Sequence, residues 1–380
     1  MKQGWEVKKL GELIIENQKS KIQVRNALNE GNYLFFTSGE GTRFYDRYFC
    51  SGENIFIATG GKAVIKFYDG KASYSTDTYS IKANNSLAIT KYLFYYLLLK
   101  IDTIERKMFL GTAIKHLQKK EFKNILINLP SISEQIKIVS IIDEIFENIK
   151  RAKENTLNTI NNTREIFISY LRDIFKDKLS GDEKYTLDSI CELIIDCEHK
   201  TAPIQETGYP SIRTPNIGKG FLILDGVNRV SEETYVKWTK RAIPKADDLI
   251  LAREAPAGNV AVIPENLKVC LGQRTVLIRP KRDKLCSKYL AYLLLSKDVQ
   301  EKLLLHSRGA TVAHINMKDI RAFNIYNIPP IVKQLTIIKI IDRLSIGTKE
   351  LEVIYQQKLN DLEELKKSLL QKAFNGELTN

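Results

Sequence analysis

The sequence predicts an α+β chain: two mixed α/β modules, each leading into a long helix, with the two helices pairing as a coiled coil. Three observations carry this. A strand-proline-helix junction occurs twice, as "INLPSISEQIKIVSIID" (127–143) and "YNIPPIVKQLTIIKIID" (326–342). Each junction opens a long stretch with apolar residues every seventh position. Before each junction lie short runs rich in β-branched and aromatic residues, bounded by turn formers.

In the first copy the strand-like runs are "YLFF" (33–36), "NIFIAT" (54–59), "KAVIKFY" (62–68) and "TYSIKA" (78–83), followed by a helix over 90–109. The first long helix carries the ladder Ile132, Val139, Phe146, Lys153, Ile160, Phe167 and Ile174. A companion row of Ile142, Ile149, Thr156, Thr163 and Tyr170 makes the seam polar at its middle. In the second copy "SIRTPNI" (211–217), "DLILAR" (248–253), "VAVIP" (260–264) and "TVLIRP" (275–280) read as strands, and 287–305 as a helix. Its long helix carries Ile341, Thr348, Tyr355, Leu362 and Leu369 beside Ile337, Leu344, Leu351 and Leu365, with Gly347 as a point of bending. At 1.5 Å per residue, forty-odd residues reach about 60 Å. The division expected is a first module over 1–130, a helix over 131–179, a second module over 180–330 and a helix over 331–380.

Further landmarks recur in order. "GELI" (11–14) returns as "CELI" (191–194), "KYLFYYLLLK" (91–100) as "KYLAYLLLSK" (288–297), "GTAIKHL" (111–117) as "GATVAHI" (309–315), and "SYLRDIF" (169–175) as "SLLQKAF" (368–374). The offset grows from 180 to 197 between the first two landmarks and then holds at 197–199. The second copy therefore gains its extra residues early, and the helical parts keep one length.

The chain has 380 residues, enough for more than one core, and a net charge of +13. By segment the excess is +8 over 1–130, 0 over 131–179, +4 over 180–330 and +1 over 331–380. Cationic modules on near-neutral helices point to a polyanion, nucleic acid before membrane. The most apolar run, "YLFYYLLLK" (92–100), falls far short of the ~20 residues of a membrane span. The opening residues lack the apolar core of a signal peptide. Five cysteines without a CxxC pair fit a reduced, cytoplasmic setting.

Catalytic signatures are missing. "GENIFIATGGKA" has the wrong glycine spacing for a phosphate loop. No NPP[YF] motif for methyl transfer to a base occurs, and no glycine-rich cofactor loop follows a strand. Asp182, Glu183 and Lys184 read as a solvated linker. "CEHK" (197–200) lacks the second ligand pair of a zinc site. His116 and His314 hold matching places in the repeat, which favours a structural or DNA-facing role over catalysis. The chain reads as non-catalytic; the alternative is a self-contained nuclease or methyltransferase whose site is not evident.

The duplicated modules, "LPSISEQIKIVSIID" and the ending "LEELKKSLLQKAFNGELT" (362–379) resemble the specificity subunit of bacterial type I restriction-modification enzymes. "YLFFTSGEGTRFYDRYF" and "LILAREAPAGNVAVIP" resemble parts of its target-recognition domains. The resemblance covers essentially the whole chain. It implies spacer helices packed antiparallel, with approximate two-fold symmetry of the recognition domains. It also implies one half of an asymmetric bipartite target for each domain. The implied partners are double-stranded DNA, two methylation subunits and, through them, restriction subunits. S-adenosylmethionine, ATP and Mg would belong to those partners, and the chain itself would hold no cofactor. The first copy ends "SYLRDIFKDKLSG", without the "AFNGEL" of the second.

Base readout calls for side chains with forked or paired hydrogen-bonding groups. Candidates in the first module are Arg43, Tyr45, Arg47 and Lys62. In the second they are Arg213, Asn216, Lys219, Arg253, Gln273, Arg274 and Arg308. Each is also compatible with a solvated charge or an internal salt bridge, Arg253 beside Glu254 most of all.

Overall fold

The computed structural model of the chain describes residues 4–41, 43–305 and 314–378. Two compact units emerge, one of Met1–Leu157 with Gln356–Asn380 and one of Asn158–Tyr355. The division falls inside the long helices, so each unit owns the start of one and the end of the other.

The main sheet of the first unit has strands β1 (Ile14–Glu16), β2 (Glu53–Ala58), β3 (Ile65–Asp69) and β4 (Thr78–Ala83), in the order β1-β4-β2-β3, all antiparallel. In the second unit β5 (Cys191–Asp196), β6 (Leu249–Ala252), β7 (Val260–Val262) and β8 (Thr275–Pro280) repeat it as β5-β8-β6-β7. Each unit adds a three-stranded sheet with one antiparallel and one parallel pairing. Strand Tyr33–Phe36 is central in the first and Tyr209–Ile212 in the second. A two-stranded ribbon leads into each proline junction, Glu6–Lys9 with Leu126–Leu129 and Lys184–Thr186 with Asn324–Tyr326.

Neither predicted intermediate helix is a single rod. The first divides into Thr90–Leu99 and Ile101–Met108, the second into Ser287–Leu295 and Lys297–Leu303. The leading pieces are apolar and mostly buried, whereas the trailing pieces are amphipathic. At the second break the Ser296 hydroxyl donates back to the Leu293 carbonyl at 2.8 Å, competing with the helical ladder. "SIRTPNI" is also cut short: the strand stops at Ile212, and Pro215 starts a 3₁₀ turn over Thr214–Asn216.

The long helices run Ile132–Phe175 and Ile331–Asn375, the second passing through Gly347 without interruption. Within the first unit Lys153 pairs with Glu363, and Lys366 lies 4.8 Å above the Phe146 ring. The partner number falls as the first helix advances, so the helices run antiparallel. In the second unit Arg164 meets Glu352 at 2.6 Å, and Leu171 and Phe175 share a core with Ile338 and Ile341. On the first helix the most buried seam is Ile142, Ile149 and Thr156. Thr156 tolerates this because its hydroxyl bonds to the Ala152 carbonyl at 2.7 Å. On the second helix the Ile341 row turns inward, while Leu344 and Leu351 are exposed.

Helix ends are pinned alike. Phe374 packs edge-on against Tyr92 at 5.1 Å, and Phe175 against Tyr289 at 5.3 Å. Fully buried Gln135 accepts from the Ile89 N–H at 2.9 Å and donates to the Leu87 and Pro130 carbonyls. Gln334 repeats this with the Cys286 N–H at 2.8 Å and the Lys284 and Pro329 carbonyls. Asp143 binds Lys91 at 2.7 Å and accepts from Tyr95; Asp342 binds Lys288 at 2.7 Å and accepts from Tyr292. Burial first, then the carboxylate, pushes the ionisation of both tyrosines upward. These residues fix each module to its helix.

Candidate functional site

One edge of the main sheet is built the same way in both units. It is formed by the ends of β1 and β2 and the start of β4, or by the ends of β5 and β6 and the start of β8. The Thr59 N–H donates to the Asp77 carbonyl at 3.0 Å, as the Arg253 N–H does to Arg274 at 2.8 Å. The Leu117 N–H donates to Thr59 and the Ile315 N–H to Arg253, both at 3.0 Å. Bridges Gly60–His116 and Glu254–His314 complete the match. The matching positions are Thr59 with Arg253, Asp77 with Arg274, and His116 with His314, whereas Glu16, which faces Ile81, holds the place of Ile194 rather than of Asp196.

In the first unit this edge borders a cleft of about 360 Å³ lined in part by Glu16, Lys19, Thr59, Tyr79, His116 and Lys119. Lys119 Nζ stands 4.0 Å above the Tyr79 ring. Burial lowers the Lys119 ionisation, nearby Lys19 and Lys123 lower it further, and Glu16 opposes them. Burial resists ionisation of Glu16, but hydrogen bonds and charge from Lys123, with help from Tyr79 and Lys119, carry it below its usual value. A crowd of cations on an aromatic floor suits an anionic or π-faced ligand.

In the second unit the cleft's place is taken by a charged network. Arg253, only 8% exposed, donates through Nη1 to Asp196 Oδ2 at 2.7 Å and through Nε to the Ile315 carbonyl at 2.8 Å. Its Nη2 lies 3.0 Å from His314 Nε2, and His314 Nδ1 lies 2.7 Å from Glu254 Oε1. One tautomer satisfies both contacts: Nδ1–H donates to Glu254 while Nε2 accepts from Arg253. Arg274 Nε binds Glu254 Oε2 at 2.8 Å.

Asp196, Cys197 and His199 bring three ligand-type atoms within 4.8 Å of one another. All three are already engaged: Asp196 by Arg253 and by His199 Nε2 at 3.2 Å, and Cys197 Sγ as acceptor of the Arg274 N–H at 3.2 Å. Burial raises the Cys197 thiol. The trio therefore serves the network. All five cysteines are free thiols.

Of the residues singled out from the sequence, Arg43 is exposed on an edge strand and donates to Asn29 at 2.8 Å. Tyr45 packs on Phe35 and Phe49, and Arg47 is exposed in the turn that follows. Lys62 is exposed in the β2–β3 turn, whose Gly61 N–H binds the Lys115 carbonyl at 2.9 Å beside the cleft. In the second unit Gly272 lies so close to Arg213 that a Cβ there would stand 2.4 Å from Arg213 Cγ, so the Arg213 side chain rests on the backbone that precedes Gln273 and Arg274. Asn216 is spent on the Arg213 N–H and the Ile223 carbonyl. Lys219 faces away from this edge, beside Glu165 and Ile168 of the first long helix. Arg253 is interior rather than offered to solvent, because Asp196, His314 and Ile315 engage all three of its nitrogens. Arg308 lies outside the described residues. Sequence reasoning passed over Lys19, Lys119 and Asp196, and took Glu254 only as a local partner of Arg253. The recurrence of "GELIIE" as "CELIID" was no guide to Asp196, because a register shift between Cys191 and Leu193 displaces the second strand relative to the first.

Comparison with known proteins places this scaffold. The family model for the type I restriction modification DNA specificity domain matches residues 2–162 and 180–364. The chain belongs to that family. It is a DNA sequence-specificity subunit of a type I restriction-modification system, the recognition component rather than a catalytic one. It is 24% identical over 333 residues to the type I restriction enzyme MjaVIII specificity subunit of Methanocaldococcus jannaschii, covering 79% of this chain and 77% of that protein. Its fold is similar to that of the HsdS subunit from Thermoanaerobacter tengcongensis, with TM-score 0.58, 19% identity and coverage of 99% and 98%. A chain from a type I R-M system studied for complex assembly and conformational transition gives TM-score 0.72 at 19% identity, with 99% of both chains covered. Among the described residues no helix is long and apolar enough to cross a membrane.

Proposed function

We propose that each unit reads one half of an asymmetric bipartite DNA target and that the long helices set the interval between the halves. The observation that carries this is the shared sheet edge: the same main-chain bonds hold Thr59 and Asp77 in one unit and Arg253 and Arg274 in the other. Such an edge suits readers of two different base sequences. The cationic excess lies in the modules, where phosphate attraction supplies affinity and a few side chains supply choice.

The subunit holds two methylation subunits and, through them, restriction subunits. Exposed Leu344 and Leu351 on the second helix offer apolar surface for such docking. S-adenosylmethionine, ATP and magnesium belong to those partners and are needed for modification and cleavage.

Deleting one heptad, residues 154–160, tests the division of labour. Methylome sequencing of cells carrying the shortened subunit with its methylation partner should show altered spacing between half-sites and unchanged bases within them. Changed bases at unchanged spacing would reverse the roles given to helices and modules.

A further inference from the structure

We infer that Arg274 reads a guanine in the half-site of the second unit, and that Glu254 is the positioning residue that presents it. The inference rests on the proposal that each unit reads one half-site.

Arg274 has an unusual backbone. Its φ of 66° lies in the left-handed region, which a non-glycine residue adopts at a cost. The conformation is held from both sides: the Arg274 N–H donates to Cys197 Sγ, and the Arg274 carbonyl accepts from the Arg253 N–H. The result is a long cationic side chain, 60% exposed, at the sheet edge.

Exposure normally leaves arginine free among many rotamers, and binding must then freeze them. Here the freezing is done in advance. Glu254, 19% exposed, grips Arg274 Nε with one oxygen. Its other oxygen accepts from His314, which is braced by Arg253, which is anchored on Asp196 and the Ile315 carbonyl. A continuous chain of hydrogen bonds thus runs from a buried arginine to an exposed one. With Nε occupied, the two terminal amino groups form the remaining fork. That fork matches the O6 and N7 acceptors on the major-groove edge of guanine.

A phosphate would accept the same fork, but the local charge argues against it. Glu254 holds a carboxylate 2.8 Å from the guanidinium and so opposes a second anion there. A neutral base edge meets no such opposition. The matching position in the first unit is Asp77, so the donor fork belongs to the second half-site alone.

The test uses the subunit with its methylation partner. Duplexes carrying each single base-pair change are assayed for methylation, beside the methylome of cells expressing the same pair. In the wild type, one G·C pair of one half-site should be preferred by on the order of ten- to a hundredfold. Arg274→Ala should erase that preference at that pair and leave the other half-site untouched. Arg274→Lys should keep part of it, and Glu254→Gln should weaken it at the same pair without moving the melting temperature by more than a few degrees. Even weakening over all sequences would make Arg274 a phosphate contact and overturn the inference, as would an unchanged motif. A wild-type Glu254→Gln profile beside a relaxed Arg274→Ala profile would remove Glu254's role. A wild-type motif that is not bipartite would instead sink the half-site proposal itself.

Discussion

At the sheet edge of the first unit, Thr59, bonded through its N–H to the Asp77 carbonyl, lines a cleft that also holds Tyr79 with Lys119 above its ring. In the second unit Arg253 and Arg274 hold the same places, and Asp196, Glu254 and His314 knit them together. The main-chain bonds beneath are the same to within 0.2 Å. The helix anchors are equally alike, pair by pair: Phe374 and Phe175, Gln135 and Gln334, Asp143 and Asp342. What is duplicated is the frame and its attachment; what differs is the chemistry shown at one edge. A recognition protein built this way can change what it reads without changing how it stands.

The largest test of that likeness is to remove the aromatic anchors. Phe374→Ala and Phe175→Ala should each destabilise their own unit by about 3–5 kcal/mol, because each empties a fully buried site. Hydrogen exchange resolved by unit should show two losses of similar size. A large loss in one unit and a negligible one in the other would break the equivalence.

Next comes the edge itself. Arg253→Ala removes the buried cation from Asp196, a carboxylate only 18% exposed that keeps just His199 and the Cys197 N–H, and should cost about 3 kcal/mol in denaturant unfolding. Thr59→Ala, at the matching place, should stay within about 0.5 kcal/mol. Equal costs would mean that the two edges are not the open and knitted versions described.

The smallest effect lies in the helices. A Cβ on Gly347 meets nothing, so Gly347→Ala should stabilise by about 1 kcal/mol. Asn148→Ala, at the matching exposed position of the first helix, should give about half of that. Melting temperatures of the two variants measure the difference.

Much of the architecture was legible because it is written in local patterns. The proline junctions, the seven-residue spacing and the alternating strands each depend on neighbours in sequence. The breaks at Lys100 and Ser296 were not legible, since "YLFYYLLLKIDTIERKM" and its counterpart keep a helical composition throughout. The edge was harder still. Arg253 finds Asp196 57 residues away and His314 61 residues away, and no periodicity reports such pairings. Its place beside Glu254 suggested a pair between neighbours; instead Glu254 serves Arg274 and His314. Gln135 and Gln334 look like surface residues in an amphipathic pattern yet are completely buried. Their clue was recurrence: each stands five residues beyond the proline whose carbonyl it binds.

The ownership of the helix ends has a consequence for synthesis. The second unit lies wholly within Asn158–Tyr355, so it has every part it needs while the ribosome is still at work on the last helical turns. The first unit needs Leu370, Ala373 and Phe374 to close its core, although almost everything else in it is translated at the outset. The half that emerges first is thus the half that is sealed last, and a nascent chain that stops before Leu370 would lose its amino-terminal reader rather than its nearer one.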